Sequence, residues 1–127
     1  MDLANTVSAA LDQFRIELPS WGFADTGTRF GKFLQASAAS TIEEKFADAS
    51  QVQSLTGACP TLALHVLWDL PDAKSIDTLQ SLSKRYAVLP GSVNPNVFQD
   101  QEYKHGSLAN ERPEVRQKAL GHLLDCV

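Results

Sequence analysis

A nearly continuous apolar run in the middle of the chain, residues 62–69 with the sequence LALHVLWD, constrains the fold more than any other feature. Such a run is typical of a parallel strand that is covered on both faces. It predicts a strand over residues 61–68. In parallel α/β proteins, ligands bind at the carboxyl ends of the strands. His65, Trp68 and Asp69 lie near that predicted end, and their position makes them candidates for an active site.

The residues before this strand predict a helix, a short strand and a second helix. The opening helix carries an apolar stripe that we expect to pack against another part of the chain. A strand is predicted over residues 15–18. Overlapping capping boxes that begin at Ser40 and at Thr41 predict the start of a helix through residue 55, and Gly57 is the expected end signal. The stripe of the opening helix consists of Leu3, Val7, Ala10 and Phe14, and the buried face of the second helix of Ile42, Phe46, Ala49 and Val52.

The residues after the strand repeat the alternation. Pro71 opens a turn into a third helix, and a short strand is predicted between residues 87 and 94. The last helix is predicted to begin near Asn110, with Pro113 in its first turn. The inner faces of these two helices are predicted to consist of Ile76, Leu79, Leu82 and Tyr86 in the third, and of Val115, Ala119, Leu123 and Cys126 in the last.

This order of elements predicts an α/β fold with a parallel sheet, because helices that alternate with strands serve as crossovers between parallel neighbours. A length of 127 residues suits one domain. A closed (β/α)8 barrel needs about 250 residues, so the chain would supply less than half of one. The predicted fold class is a partial (β/α)8 TIM barrel, with about three β-α units preceded by a helix.

Composition excludes several classes of partner. The net charge is −4, and no cluster of lysines and arginines is present, so nucleic acid is not an expected partner. The apolar runs are too short for a membrane span, and the first residues lack the basic and apolar regions of a secretory leader. We therefore expect a cytoplasmic protein with no membrane contact.

His65 and the two tryptophans are the strongest candidates for chemistry. An imidazole held by the carboxylate of Asp69 would be a suitable general acid-base near neutral pH. The alternative is a histidine that is hydrogen-bonded within the core. Trp21 follows the first predicted strand as Trp68 follows the second, so both indoles could form walls for a sugar ring. Each could equally cap a core.

Two loops offer further candidates. The glycine-rich residues 26–31 match neither the Walker pattern nor the dinucleotide fingerprint, so we interpret them as a loop that presents Phe30 to a ligand or a partner subunit. The polar loop after the third strand contains Asn94 and Phe98, which we predict to bind substrate, although such loops are often merely solvated. No spacing of histidines, cysteines or acidic residues predicts a metal site within the chain.

Four segments carry a further signal, namely residues 18–22 (LPSWG), 27–30 (GTRF), 64–69 (LHVLWD) and 103–108 (YKHGSL). In order and spacing they resemble the amino-terminal part of L-rhamnose isomerases, which belong to the xylose-isomerase-like barrel superfamily. The resemblance covers nearly the whole chain from about Phe14 onward. It implies a (β/α)8 barrel that interconverts an aldose and a ketose by a metal-assisted hydride shift, with manganese as the metal and a homotetramer as the assembly.

The resemblance also implies roles for particular residues. His65 corresponds to the histidine that assists opening of the sugar ring, with Asp69 as a possible orienting residue. Trp21 and Trp68 correspond to pocket walls, and Phe30 to the aromatic residue that closes the site of a neighbouring subunit. The family's metal ligands lie on later strands, which this sequence does not contain.

We therefore predict that residues 1–127 form the amino-terminal part of a sugar isomerase barrel and are inactive alone. One alternative is a non-catalytic sugar-binding or interaction module, in which self-association covers the open sheet edge. A third possibility is a small doubly wound domain that is complete in itself.

Overall fold

Three short parallel strands and five helices make up the computed structural model, which describes residues 2–24, 35–70 and 75–127. The strands are β1 (Glu17–Pro19), β2 (Thr61–His65) and β3 (Leu89–Asn94). The helices are α1 (Leu3–Gln13), α2 (Ile42–Thr56), α3 (Val66–Asp69), α4 (Ser75–Tyr86) and α5 (Pro113–Asp125). Single 3₁₀ turns follow β1 at Ser20–Gly22 and precede α5 at Gln101–His105.

The sheet has the order β1-β2-β3, and both pairs of strands are parallel. Helix α2 connects β1 to β2, and α4 connects β2 to β3, so each strand lies beside its neighbour in sequence. A doubly wound sheet would reverse this order at a switch point, whereas a barrel keeps it. The predicted α/β class is therefore confirmed, and the strand order is that of a partial β/α barrel.

A shift in register between β2 and β3 sets which residues meet at the carboxyl end of the sheet. Thr61 pairs with Leu89, but an irregularity after Leu62 brings His65 opposite Asn94. The peptide N–H of Ser92 within this irregular part of β3 donates to both carboxylate oxygens of Glu17 on β1, at 2.9 and 3.1 Å. The shift therefore places Asn94 beside the candidate histidine.

The ends of α2 follow the predicted signals. Of the two candidate caps, Thr41 is the N-cap: its hydroxyl accepts from the N–H of Glu44 at 3.2 Å, and the Glu44 carboxylate accepts from the N–H of Thr41 at 3.0 Å. Ser40 donates two more hydrogen bonds to the same carboxylate, one from its N–H and one from its hydroxyl. These hydrogen bonds lower the pKa of Glu44, the bond from the Ser40 N–H most of all. At the other end, Gly57 has φ +67°, the left-handed conformation that a glycine adopts without a steric penalty.

The hydrophobic core lies between the sheet and the helices α2 and α4. These two helices contact each other, α2 also contacts the 3₁₀ turn after β1, and α4 contacts β3. Burial of apolar side chains between these helices and the sheet supplies the main stabilising free energy of the β-α units. The buried core residues are Phe46, Ala49, Leu62, Leu64, Leu79, Leu82 and Val88. A smaller cluster joins Val115 and Ala119 of α5 to Tyr103 of the preceding 3₁₀ turn.

Helix α1 forms as predicted, but the described residues do not provide the packing that we expected of its stripe. No residue of α1 is buried, and Leu3 is 76% and Leu11 68% exposed. Phe14, which caps the helix, is 62% exposed. An apolar stripe shows which face of a helix can be buried, but only tertiary contacts decide whether a surface covers it.

Within the described residues, no helix is long and apolar enough to cross a membrane.

Candidate functional site

The candidate site lies where β2 ends, three residues earlier than the sequence predicts. The strand stops at His65, and the one-turn helix α3 carries Trp68 and Asp69. The prediction of a strand to residue 68 was wrong because a short apolar run has the same pattern in a buried strand and in a buried helical turn. The turn matters for the site because it folds Trp68 back over His65.

Three aromatic rings surround the imidazole of His65. The indole of Trp68 is stacked on it, with the ring centroids 3.8 Å apart and the planes at 18°. The indole of Trp21 approaches edge-on at 6.2 Å and 81°, and Phe98 at 5.7 Å and 87°. We call these four residues the aromatic cage. The structure thus brings together side chains from β2, α3, the turn after β1 and the loop after β3, all of which the sequence predicted as site residues.

The imidazole is buried without a hydrogen-bond partner. His65 is 3% exposed, and neither Nδ1 nor Nε2 bonds to any described residue. Leaving buried polar atoms unpaired is costly, and they are uncommon in folded proteins. The alternative of a hydrogen-bonded core histidine therefore does not describe this residue. Both ring nitrogens are therefore unpaired among the described residues.

Burial lowers the pKa of His65 below its ordinary value of 6.5, because the charged form loses hydration. The negative charge of Asp69 acts in the opposite direction, and Lys45 and His122 add to the lowering. The imidazole is therefore neutral at neutral pH, with one nitrogen as donor and the other as acceptor.

Asp69 does not hold the imidazole, which is a correction to the role that the sequence suggested. Its Oδ1 accepts from Lys45 Nζ at 2.6 Å, and its Oδ2 accepts from the peptide N–H of His65 at 2.7 Å. The hydroxyl of Ser20 also donates to Oδ2. The side chains of Lys45 and Asp69 are 4% and 0% exposed, so this is a buried ion pair. The turn of α3 brings the carboxylate to the main chain of His65 and to Lys45 on α2, and no hydrogen bond joins it to the imidazole ring.

Lys45 and Ser20 were missed by the sequence reasoning, although Lys45 left a signal. It lies three residues after Ile42 and four before Ala49, and so shares the buried face of α2 with Phe46. A lysine on such a face requires a buried negative partner, because an unpaired buried charge is very costly. Ser20 carried no comparable signal.

The remaining predicted site residues lie around the cage or outside the described residues. Asn94 is opposite His65 in the sheet, and its Nδ2 is 3.5 Å from the carbonyl oxygen of Leu64. Beyond it, the N–H of Asn96 donates to Nε2 of His122 at 2.9 Å, which holds the loop after β3 against α5. Phe30, the predicted partner-facing aromatic residue, lies outside the described residues.

A metal centre does not assemble from the part of the chain that the structure describes. No group of three or more histidine, cysteine, aspartate or glutamate side chains lies close enough there to hold an ion. Manganese in a protein is bound by several such side chains at once. The described residues therefore do not fit the metal that the resemblance implies.

Two known proteins are similar to this chain over nearly its whole length. No protein-family model matches the chain. A protein of Mesorhizobium japonicum is 32% identical to it and one of Rhizobium meliloti 30% identical, and each alignment covers 97% of this chain. Both relatives are named probable sugar isomerases. The chain spans only 29% of the length of each.

Proposed function

We propose that the chain forms the amino-terminal part of a sugar isomerase of the L-rhamnose isomerase type, which interconverts an aldose and a ketose. The observation that carries the proposal is the buried, neutral imidazole of His65, whose two ring nitrogens have no partner among the described residues. The names of the two relatives and the order of the four sequence motifs support it.

The cage suits a sugar because its walls and its polar group match the two kinds of surface that a sugar presents. Indole faces pack against the C–H groups of a sugar ring, and Trp21 and Trp68 are each only partly buried. Phe98 is 49% exposed, so this wall of the cage reaches solvent. The imidazole between them would bond hydroxyl groups through its two unpaired nitrogens.

The chemistry that we assign to His65 is opening of the cyclic sugar. The acceptor nitrogen takes the proton from the anomeric hydroxyl, the bond from the anomeric carbon to the ring oxygen breaks, and a carbonyl group forms. The donor nitrogen gives its proton to the ring oxygen, so the imidazole ends neutral with its proton on the other nitrogen. Aromatic walls exclude water from this step.

The other parts of the proposal concern the longer protein. By the resemblance, a divalent metal ion, manganese, would polarise the sugar oxygens during isomerisation, and residues outside this chain would hold it. We propose that the whole protein is a cytoplasmic homotetramer in which Phe30 closes the site of a neighbour. The 127 residues alone are then expected to be inactive.

A second candidate is a non-catalytic sugar-binding module. It is favoured by the fact that the aromatic cage is complete within the described residues whereas a group of metal ligands is not. Such a module would bind a sugar without any metal and without converting it.

Tryptophan fluorescence provides a direct test, because the only two tryptophans of the sequence, Trp21 and Trp68, both belong to the cage. L-rhamnose is expected to change the emission in a saturable way. Phe98→Ala removes one wall and should weaken binding about tenfold, which corresponds to ~1.4 kcal/mol. Phe14→Ala is the matched control, since Phe14 is exposed and lies outside the cage.

The outcomes separate the candidates. No saturable response to L-rhamnose or to any other aldose would overturn both. Equal weakening by Phe98→Ala and Phe14→Ala would mean that the cage is not the binding site. Incubation with L-rhamnose and Mn²⁺ should yield no ketose from the chain alone, and turnover there would refute the assignment of the metal centre to another part of the protein. In a longer protein that contains this chain, sugar binding without any turnover would favour the module.

A further inference from the structure

We propose that Lys45, Asp69 and Ser20 form a positioning network that fixes the four-residue aromatic cage, and that Lys45 keeps the Asp69 carboxylate away from the imidazole. The role of the network in sugar chemistry rests on the proposed function, whereas its effect on His65 does not. All three residues are buried, so they act on the rings through the main chain to which the rings are attached.

The network is attached to the main chain next to three of the cage rings. Asp69 directly follows Trp68, Ser20 directly precedes Trp21, and the peptide N–H of His65 is itself a donor to Asp69. A single carboxylate therefore joins the end of β2, the turn after β1 and helix α3. Because each attachment is within one residue of a ring, a shift of the carboxylate would shift all three rings together.

Lys45 neutralises the charge of the Asp69 carboxylate and occupies one of its two oxygens. Its ammonium group occupies Oδ1 at 2.6 Å, while two neutral donors occupy Oδ2. A buried carboxylate without such a counter-charge would attract a proton onto the nearest base, and that base is His65. Lys45 thereby leaves the imidazole neutral and leaves both ring nitrogens for a ligand.

The charges that reach the imidazole come from three helices. Among the described residues these groups are Asp69 on α3, Lys45 on α2 and His122 on α5. The other elements against the ring contribute Asn94 and Trp21, which do not titrate. Removal of Lys45 should therefore raise the pKa of His65, and removal of the Asp69 charge should lower it.

The test is an NMR titration of the histidine ring signals in the full 127-residue chain. The chain has three histidines, and the signal of His65 is identified by its loss in His65→Gln. Lys45→Met should shift the His65 titration to higher pH, and Asp69→Asn should shift it to lower pH. Lys118→Met is the matched control, because Lys118 is an exposed lysine that pairs with Asp100 and Glu102.

A second measurement covers the case in which the charge variants do not fold. Ser20→Ala removes one donor and leaves no unpaired charge, so it should fold. It is expected to weaken the nuclear Overhauser contacts between the Trp21 and His65 rings. The positioning network is overturned if Ser20→Ala leaves these contacts unchanged, or if a folded Lys45→Met titrates at His65 as the native chain does. If the shifts occur but no sugar binds, the proposed function fails and the network stands.

Discussion

Removal of one partner from the buried pair of Lys45 and Asp69 should destabilise the chain more than any surface substitution. At 2.6 Å and an effective dielectric constant of about 20, Coulomb's law gives an attraction of ~6 kcal/mol, most of which offsets the desolvation of the two charges. Taking away either charge loses the attraction and keeps the desolvation of the other. Lys45→Met and Asp69→Asn should each lower the free energy of unfolding by about 3–5 kcal/mol.

The double variant Lys45→Met/Asp69→Asn should cost less than the sum of the single changes, because it leaves no charge unpaired. We expect the costs to differ from additivity by at least ~2 kcal/mol. Urea unfolding at pH 7, followed by far-ultraviolet circular dichroism, measures all three values. A loss of 4 kcal/mol lowers the urea midpoint by about 2 M.

Lys118→Met is the control, since its ion pairs are exposed and should contribute at most about 1 kcal/mol. Single variants of the buried pair that cost no more than this control would refute the reasoning. Strict additivity in the double variant would do the same, because two charges that stabilise each other cannot contribute independently.

Three further predictions concern the imidazole, the cap of α2 and the core. Burial lowers the pKa of His65 in the folded state, so below about pH 6.5 the unfolded chain binds the proton more readily. The native chain should therefore lose stability as the pH falls. In the same pH series of urea titrations, His65→Gln should lose less stability. Thr41→Ala should lower the free energy of unfolding by about 1 kcal/mol and Ser40→Ala by less, and equal effects would contradict the assignment of the N-cap. Phe46→Ala should cost about 3–5 kcal/mol because the side chain is fully buried, while Leu55→Ala at an exposed position should cost within ~0.5 kcal/mol in the same thermal melts.

Much of the fold could be predicted from the sequence because its signals are local. The capping box at Thr41 and the glycine at position 57 fix the ends of α2 through hydrogen bonds and dihedral angles within a few residues. The spacing of Leu79 and Leu82 likewise identifies the buried side of α4. Such patterns depend on the geometry of one helix and need no knowledge of its neighbours.

The limits of the prediction appear where one segment meets another. The stripe of α1 predicts a buried face, yet no described residue covers it. In α4, Ile76 carries the same helical spacing as Leu79 but is exposed. Periodicity ranks the faces of a helix by their apolar character, whereas burial depends on which surface lies opposite.

For the candidate site, the amino-acid sequence by itself determined which side chains are available at the ends of the first two strands: an imidazole, two indoles and a carboxylate. Tertiary structure alone decided how they are paired. The single turn of α3 stacks Trp68 on His65 and directs Asp69 to Lys45, a partner 24 residues away in the chain. The physical reason is that apolar burial specifies positions on an element without regard to partner, whereas an ion pair requires two particular atoms to meet, and only the packing of α2 against the sheet brings those atoms together.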